Sequence, residues 1–401
     1  MSLKRSWRKT LAWLGATTAL LACGWLWFFH AVANPRLGNQ SELAGLAAPA
    51  GLDWEVPRHV DSLLTFLATT FIGRPDNAGI AIGVTRKGNR HFVYRGVSSK
   101  RDPASLVGDS TLFELGSVTK TFTGIALAQA VLGGSISLEQ PIGDFLPAST
   151  AFPAHVRSIS VGHLATHTGG LPSNPPSVSF LARNFRKNPF NQVTARQAFA
   201  SLAALEPPGG PEPEYRYSNF GFMILGRLLE EATGITYARL IENGVARSLG
   251  MNSTWVEPPE AELSHLAVGH RVGNEVEHWY AIPLPGASGV VSTLPDMLTF
   301  LESHLDPDRT PLSGAIRLAM TPRTRASTTV EVALGWHVYA EPGIPRVVYH
   351  NGSMMGFRSY VGMAPDLGLG IVVLGNSRDP TIGSIGRLIM RTLTRTEGQG
   401  Q

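Results

Sequence analysis

Residues 113–124 read Phe113-Glu-Leu-Gly-Ser-Val-Thr-Lys-Thr-Phe-Thr-Gly124. Ser117 and Lys120 stand three apart in this stretch, so on a helix they share one face and the ammonium can sit beside the hydroxyl. A serine alcohol is a poor nucleophile and needs a base or cationic neighbour that favours loss of its proton. The spacing alone is weak. The chain has only six lysines, yet Ser6-Trp-Arg-Lys9 fits the same pattern. A serine ahead of a helix is also a common N-cap. Taken by itself, the pair leaves both readings open.

Working outward, Lys120 to Leu132 is helical in composition and stops at Gly133-Gly134. Upstream, Val60, Leu63, Leu64 and Leu67 recur at helical spacing within His59–Phe71. Ile80–Val84 and His91–Tyr94 are strand-like runs around Lys87-Gly-Asn89, a hairpin signal. The middle of the chain is mainly helical, with Pro/Gly-rich loops such as Glu206–Pro213 and a helical run over Phe220–Ala232 ended by Gly234. Thr293-x-x-Asp296 resembles a capping box opening a helix to about Leu305. Strands return at Val330–Tyr339, Val347–His350, Arg358–Met363 and Gly370–Leu374, and a last helix begins near Asp379-Pro380. This order predicts an α+β fold: an antiparallel sheet built from both ends of the chain, flanked by terminal helices, with an all-helical lobe inserted between. A cleft between sheet and lobe is the natural site.

Two further segments carry polar chemistry. In Tyr217-Ser-Asn219, a tyrosine whose pKa is lowered by a lysine can take a proton from serine and return it to a leaving group. The alternative is a partly buried tyrosine ahead of an Asn or Ser cap. In His350-Asn-Gly-Ser353, Gly352 lets a substrate approach the backbone closely, and the N–H groups of Ser353 and Ser117 are candidates for an oxyanion hole. The alternative is a plain strand-end turn. His163 and His167 stand four apart, like ligands on a helix, but no Glu follows His163 and no Cys or acid partner is near. Packing or hydrogen bonding is the better reading there than a metal.

These pieces meet a resemblance. Phe113–Gly124 resembles the nucleophile segment of class C β-lactamases and their low-molecular-weight penicillin-binding relatives. So, in family order, do His163-Leu-Ala-Thr-His-Thr-Gly-Gly-Leu-Pro172, Tyr217-Ser-Asn219 followed by Gly226, Thr233-Gly234 and Leu249-Gly-Met251, and Gly289-Val-Val-Ser-Thr293 followed by Asp296-Met297. The series closes with His350-Asn-Gly-Ser353 through Gly356-Phe357, Ser359-Tyr360 and Gly370-Ile-Val-Val-Leu-Gly-Asn376. The likeness runs from about residue 55 to 395. It implies an acyl-enzyme on Ser117, proton work shared by Lys120 and Tyr217, contact of Asn219 with the substrate amide, and an oxyanion held by Ser117 and Ser353 N–H groups. His350, Asn351 and Gly352 stand where the β-lactamases and many carboxypeptidases of the family have Lys-Thr-Gly. No lysine follows Lys187, so no other copy supplies that charge. A histidine is mostly neutral near pH 7, so affinity for carboxylate-bearing β-lactams should be weaker. The implied activity is cleavage of amides in β-lactams or D-amino-acid cell-wall peptides. An esterase, a D-amino-acid amidase and a slow penicillin-binding sensor use the same residues. The partner implied is a small molecule or peptide. The chemistry requires no metal or organic cofactor.

Composition bounds the rest. The formal charge of +4 is accounted for by Lys4, Arg5, Arg8 and Lys9, which leaves the remainder neutral and gives a nucleic-acid partner no support. Leu11–Phe29 is apolar and Ala31-Val-Ala33 offers a small-residue cleavage site, so residues 1–33 read as an export signal or a membrane anchor. Leu20-Leu-Ala-Cys23 also resembles a lipobox. Each of these fates puts the body outside the cytoplasm, in the periplasm or held at the inner membrane by residues 11–29. Residues 34–52 read as a linker, 53–395 as the hydrolase domain and 396–401 as a tail. Cys23 is the sole cysteine, so the exported part has neither a disulfide framework nor a thiol nucleophile.

Overall fold

The structure, a computed structural model, describes residues 57–178, 188–207, 214–280, 282–342 and 345–395. The leader, the linker over residues 34–52, part of the Glu206–Pro213 loop and the tail lie outside the described residues. Among the described residues no helix is long and apolar enough to cross a membrane.

Among the described residues nine strands form one antiparallel sheet. In chain order they are β1 Gly79–Arg86, β2 Asn89–Ser99, β3 Asp102–Leu106, β4 Thr324–Arg325, β5 Val330–Val332, β6 His337–Tyr339, β7 Val347–Ser353, β8 Arg358–Ala364 and β9 Leu369–Gly375. Across the sheet they run β3-β2-β1-β9-β8-β7-β6-β5-β4. The first hairpin turns at Lys87 and Gly88, both at positive φ (49° and 87°), with Arg86 paired to Asn89. Such a two-residue turn matches the right-handed twist of its strands. β1 then pairs with β9 in register Ile80 to Gly375, so the two ends of the chain close the sheet side by side. The long expected strand over Val330–Tyr339 is two short strands, β5 and β6, folded on each other. The break falls at Gly335, whose φ is +76°; a Cβ there would stand 2.1 Å from the Lys120 carbonyl oxygen.

Six of the helices among the described residues bear on the sheet and the site. They are α1 Pro57–Ile72, α2 Thr119–Leu132, α3 Val161–Ala165, α4 Asn219–Thr233, α5 Leu294–Leu305 and α6 Thr381–Arg395. α1 and α6 are the expected terminal helices. α6 lies over one face of the sheet, where Tyr360 of β8 packs on Gly386 and Ile382 on Gly375. α5 lies over the other, with Leu294 and Leu298 against Gly83. β1 and β9 are therefore covered on both sides, which explains their continuous apolar runs. Thr293 caps α5 through Asp296 N–H, but the Asp296 carboxylate does not return the bond. It accepts from Ser253 N–H and the Thr254 hydroxyl instead, so only half of the anticipated capping box forms.

Candidate active site

Ser117 lies in a 3₁₀ turn, Gly116–Val118, that runs into α2. No side chain caps the start of either helix, so the hydroxyl of Ser117 is not consumed as an N-cap. Gly116 has φ +55°, and a Cβ on it would stand 2.7 Å from Ser353 N. Gly352 faces the same turn: its Cβ would lie 2.0 Å from the Leu115 carbonyl oxygen and 2.0 Å from Ser359 Oγ, which itself donates to that carbonyl at 2.7 Å. The absent side chain of Gly352 thus seats the Ser117 turn on β7. It was expected to make room for a substrate, and it makes room for the protein's own backbone. The result is the same from the ligand's side, since it brings the Ser353 amide against the Ser117 turn.

Lys120 is fully buried, while Ser117 is part-exposed. Lys120 Nζ lies 3.1 Å from Ser117 Oγ, 2.8 Å from Asn219 Oδ1 and 2.8 Å from the Ala287 carbonyl oxygen. The amide of Asn219 is fixed in this orientation by its own N–H, which donates to Asn174 Oδ1. Burial pushes the Lys120 pKa well below the ordinary lysine value. In this geometry the Lys120 ammonium donates to all three oxygens; once it loses a proton it keeps two N–H groups for the two amide oxygens and gains a lone pair for the Ser117 proton. The arrangement can therefore withdraw a proton from a reachable hydroxyl through a base that solvent does not reach.

The Tyr217 ring lies 5.0 Å from Lys120 Nζ, and its hydroxyl is close enough to Ser117 to feel that side chain. Its pKa was expected to be lowered by a lysine. Burial raises it instead, outweighing the opposing influence of Ser117. At neutral pH Tyr217 is a phenol, able to donate a proton. Ser218 caps α4, its Oγ accepting from Gly221 N–H and donating to the Pro172 carbonyl.

His350 closes the far side, its ring 6.4 Å from that of Tyr217. Its Nδ1 is 2.7 Å from the Asn351 carbonyl oxygen, so the ring proton sits on Nδ1 and donates there. Its Nε2 is buried without a hydrogen-bond partner among the described residues. Burial and the neighbouring His337 and Lys120 hold its pKa well below the ordinary histidine value, so the ring is neutral. Asn351 departs from expectation. Strand alternation puts it on the opposite face from His350 and Gly352, where its cross-strand partner is Tyr360. Its Oδ1 lies 3.0 Å from where a Cβ on Gly383 of α6 would be. The fold gathers Ser117, Lys120, Tyr217, Asn219, His350, Gly352 and Ser353 and turns the Asn351 side chain away.

Some contributors carry no signal in the sequence. The Ala287 carbonyl acts through backbone geometry that no residue type encodes. His337, which shares a 2.9 Å hydrogen bond between Nε2 and the Tyr215 hydroxyl, places its ring 5.1 Å from that of His350, tilted by 47°. His163 caps its own helix reciprocally with Ser160, and His167 packs under Tyr217. The two do not converge. Among the described residues no group of His, Cys, Asp or Glu could hold a metal ion.

A serine hydrogen-bonded to a buried lysine, with a tyrosine beside them, set between an antiparallel sheet and a helical lobe, defines the serine hydrolases related to class C β-lactamases and penicillin-binding proteins. Residues 67–389 match the Beta-lactamase family, and the chain belongs to it. It is 28% identical over 364 residues to a β-lactamase of Escherichia coli K12, covering 81% of this chain and 90% of that protein. It is 27% identical over 279 residues to the D-alanyl-D-alanine-carboxypeptidase/endopeptidase AmpH of the same strain, covering 66% and 70%. Among solved structures, a class C β-lactamase from Rhodobacter sphaeroides superposes with a TM-score of 0.71 at 25% identity, over 82% of this chain and 99% of that one.

Proposed function

We propose that the protein forms an acyl-serine on Ser117 and cleaves the amide of a β-lactam ring or of a D-amino-acid peptide such as a cell-wall stem. One observation carries this reading: the buried Lys120 amine reaches Ser117 Oγ at 3.1 Å while two fixed oxygens hold its other two bonds. Lys120 takes the Ser117 proton as Oγ attacks the carbonyl carbon. The N–H groups of Ser117 and Ser353 hold the oxyanion, a role favoured by fixed dipoles that need no reorganisation. Tyr217, protonated because it is buried, gives its proton to the leaving nitrogen and is reprotonated through Lys120. Water then releases the acyl group. The basic, then apolar leader supports action outside the cytoplasm.

Time-resolved intact mass of the protein mixed with a penicillin tests the mechanism. The expected result is an adduct on Ser117 that Ser117→Ala abolishes. Covalent labelling that persists at another residue overturns it. Rapid loss of the adduct with hydrolysed product identifies a β-lactamase, and a lifetime of minutes to hours identifies a peptidase or sensor.

The neutral His350 favours a second reading, an esterase or D-amino-acid amidase. A neutral imidazole opposite Tyr217 gives a substrate carboxylate less to bind than a lysine would. An enzyme of this kind leaves penicillin intact and hydrolyses activated neutral esters, with the same dependence on Ser117.

A further inference from the structure

His167 is held at φ +61°, a backbone conformation that residues other than glycine seldom adopt. It follows α3 in the loop that runs to Pro172, and it touches three consecutive residues of the Tyr217 segment. Its carbonyl oxygen accepts from Arg216 N–H at 2.7 Å. Its ring nitrogen Nδ1 accepts from Ser218 N–H at 3.1 Å. Between these two bonds its imidazole packs on the Tyr217 ring, centroid to centroid 4.5 Å.

The positive φ lets one residue do all three. It turns the carbonyl toward residue 216 while the side chain reaches residue 218, which brackets Tyr217 on both sides. The same loop holds the next residues as well, since Ser173 accepts from Asn219 N–H at 2.8 Å. A backbone N–H can only donate, so Nδ1 carries the lone pair and the ring proton is on Nε2. Burial, together with Lys120, His337 and His350, keeps the ring neutral and so keeps that lone pair available. His167 itself lies outside the hydrogen bonds made by Ser117 and Lys120.

We infer that His167 is the positioning residue of Tyr217: its carbonyl and Nδ1 clamp the backbone on either side of the tyrosine and its ring sets the angle at which the phenol meets Ser117. This rests on the proposed role of Tyr217 only for its kinetic consequence; the clamp itself is a statement about where Tyr217 is held. Displacing a reacting group by about 1 Å costs on the order of 10²-fold in rate, which sets the scale expected when the clamp is lost.

Two substitutions separate positioning from packing. His167→Gly accepts the positive φ without strain and removes the ring and its acceptor. His167→Asn also tolerates this φ and returns an oxygen acceptor near the place of Nδ1. In protein labelled with 3-fluorotyrosine, the ¹⁹F line of Tyr217, assigned by its loss in Tyr217→Phe, is expected to shift or broaden in His167→Gly and to return toward the parent in His167→Asn. Acylation should fall on the order of 10²-fold in the glycine variant with KM little changed, and recover to within about tenfold of the parent in the asparagine variant. A parent-like Tyr217 line in His167→Gly, or an asparagine variant that matches the glycine variant in line and rate, overturns the inference. Where the parent acylates with no penicillin or activated ester, the fluorine line alone decides the clamp, and it is the hydrolase mechanism that falls.

Discussion

Gly352→Ala adds one carbon, and the structure says what that carbon meets. It would lie 2.0 Å from the Leu115 carbonyl oxygen and 2.0 Å from Ser359 Oγ. Ser359 can rotate its hydroxyl away, at the loss of its 2.7 Å bond to the same carbonyl. The carbonyl cannot rotate, because it belongs to the turn that carries Gly116 and Ser117. Ordinary contact begins at 3.4 Å, so the turn must retreat from β7 by about 1.4 Å. That motion separates the Ser353 amide from Ser117 and lengthens the reach of Ser117 to Lys120. A misplacement of this size predicts a fall in acylation rate on the order of 10² or more, equivalent to about 2.7 kcal/mol of barrier. Overpacking of a buried contact predicts a stability loss of about 1–3 kcal/mol. Stopped-flow acylation with a chromogenic β-lactam or activated ester reads the first quantity, and thermal unfolding reads the second. Gly88→Ala is the control: its φ is +87° but nothing lies within 4 Å of the added carbon, so a modest stability cost and an unchanged rate are expected. A Gly352→Ala enzyme that acylates within twofold of the parent would refute the claim that this glycine seats the nucleophile.

Tyr217→Phe keeps the ring on His167 and removes the proton donor, so turnover should fall on the order of 10²–10⁴; a near-normal steady-state rate assigns all proton transfer to Lys120. The acylation rate should fall on the acid side as Lys120 becomes protonated, since an ammonium has no lone pair for the Ser117 proton, and burial places that limb well below the ordinary lysine pKa. A pH–rate profile of acylation with no limb below the ordinary lysine range except that of the substrate argues against Lys120 as base. Lys120→Met should abolish acylation yet raise stability near neutral pH: the unfolded lysine binds a proton that the buried one resists, so the parent gains stability as pH rises and the variant should lose that slope in unfolding titrations. His350→Lys should improve turnover of anionic β-lactams more than that of neutral esters, and equal effects on the two would remove charge as the reason for the difference from Lys-Thr-Gly relatives.

Local geometry and periodicity made much of this legible from residues alone. Ser117 and Lys120 are neighbours along one helical turn, so their spacing is enough to bring them together in whatever fold follows. The Lys87-Gly88 hairpin and the Gly234 stop of α4 follow from backbone conformations that few residues adopt. Strand alternation already contained the fate of Asn351, because a residue between His350 and Gly352 must face the other way. Val330–Tyr339 misled because its apolar pattern continues across Gly335, and the fold that demands a turn there comes from the Lys120 carbonyl about two hundred residues upstream. Only the tertiary structure decided the direction of the pKa shifts: burial depresses Lys120 and raises Tyr217, and burial is a property of everything packed around a group. The Ala287 carbonyl and the His167 clamp belong to the same class, since each acts by position across a chain crossing. The sequence determined which chemical groups are present and which neighbours along a helix or strand share a face, while the packing of distant segments determined how far each group is buried, which way its pKa moves and what holds it in place.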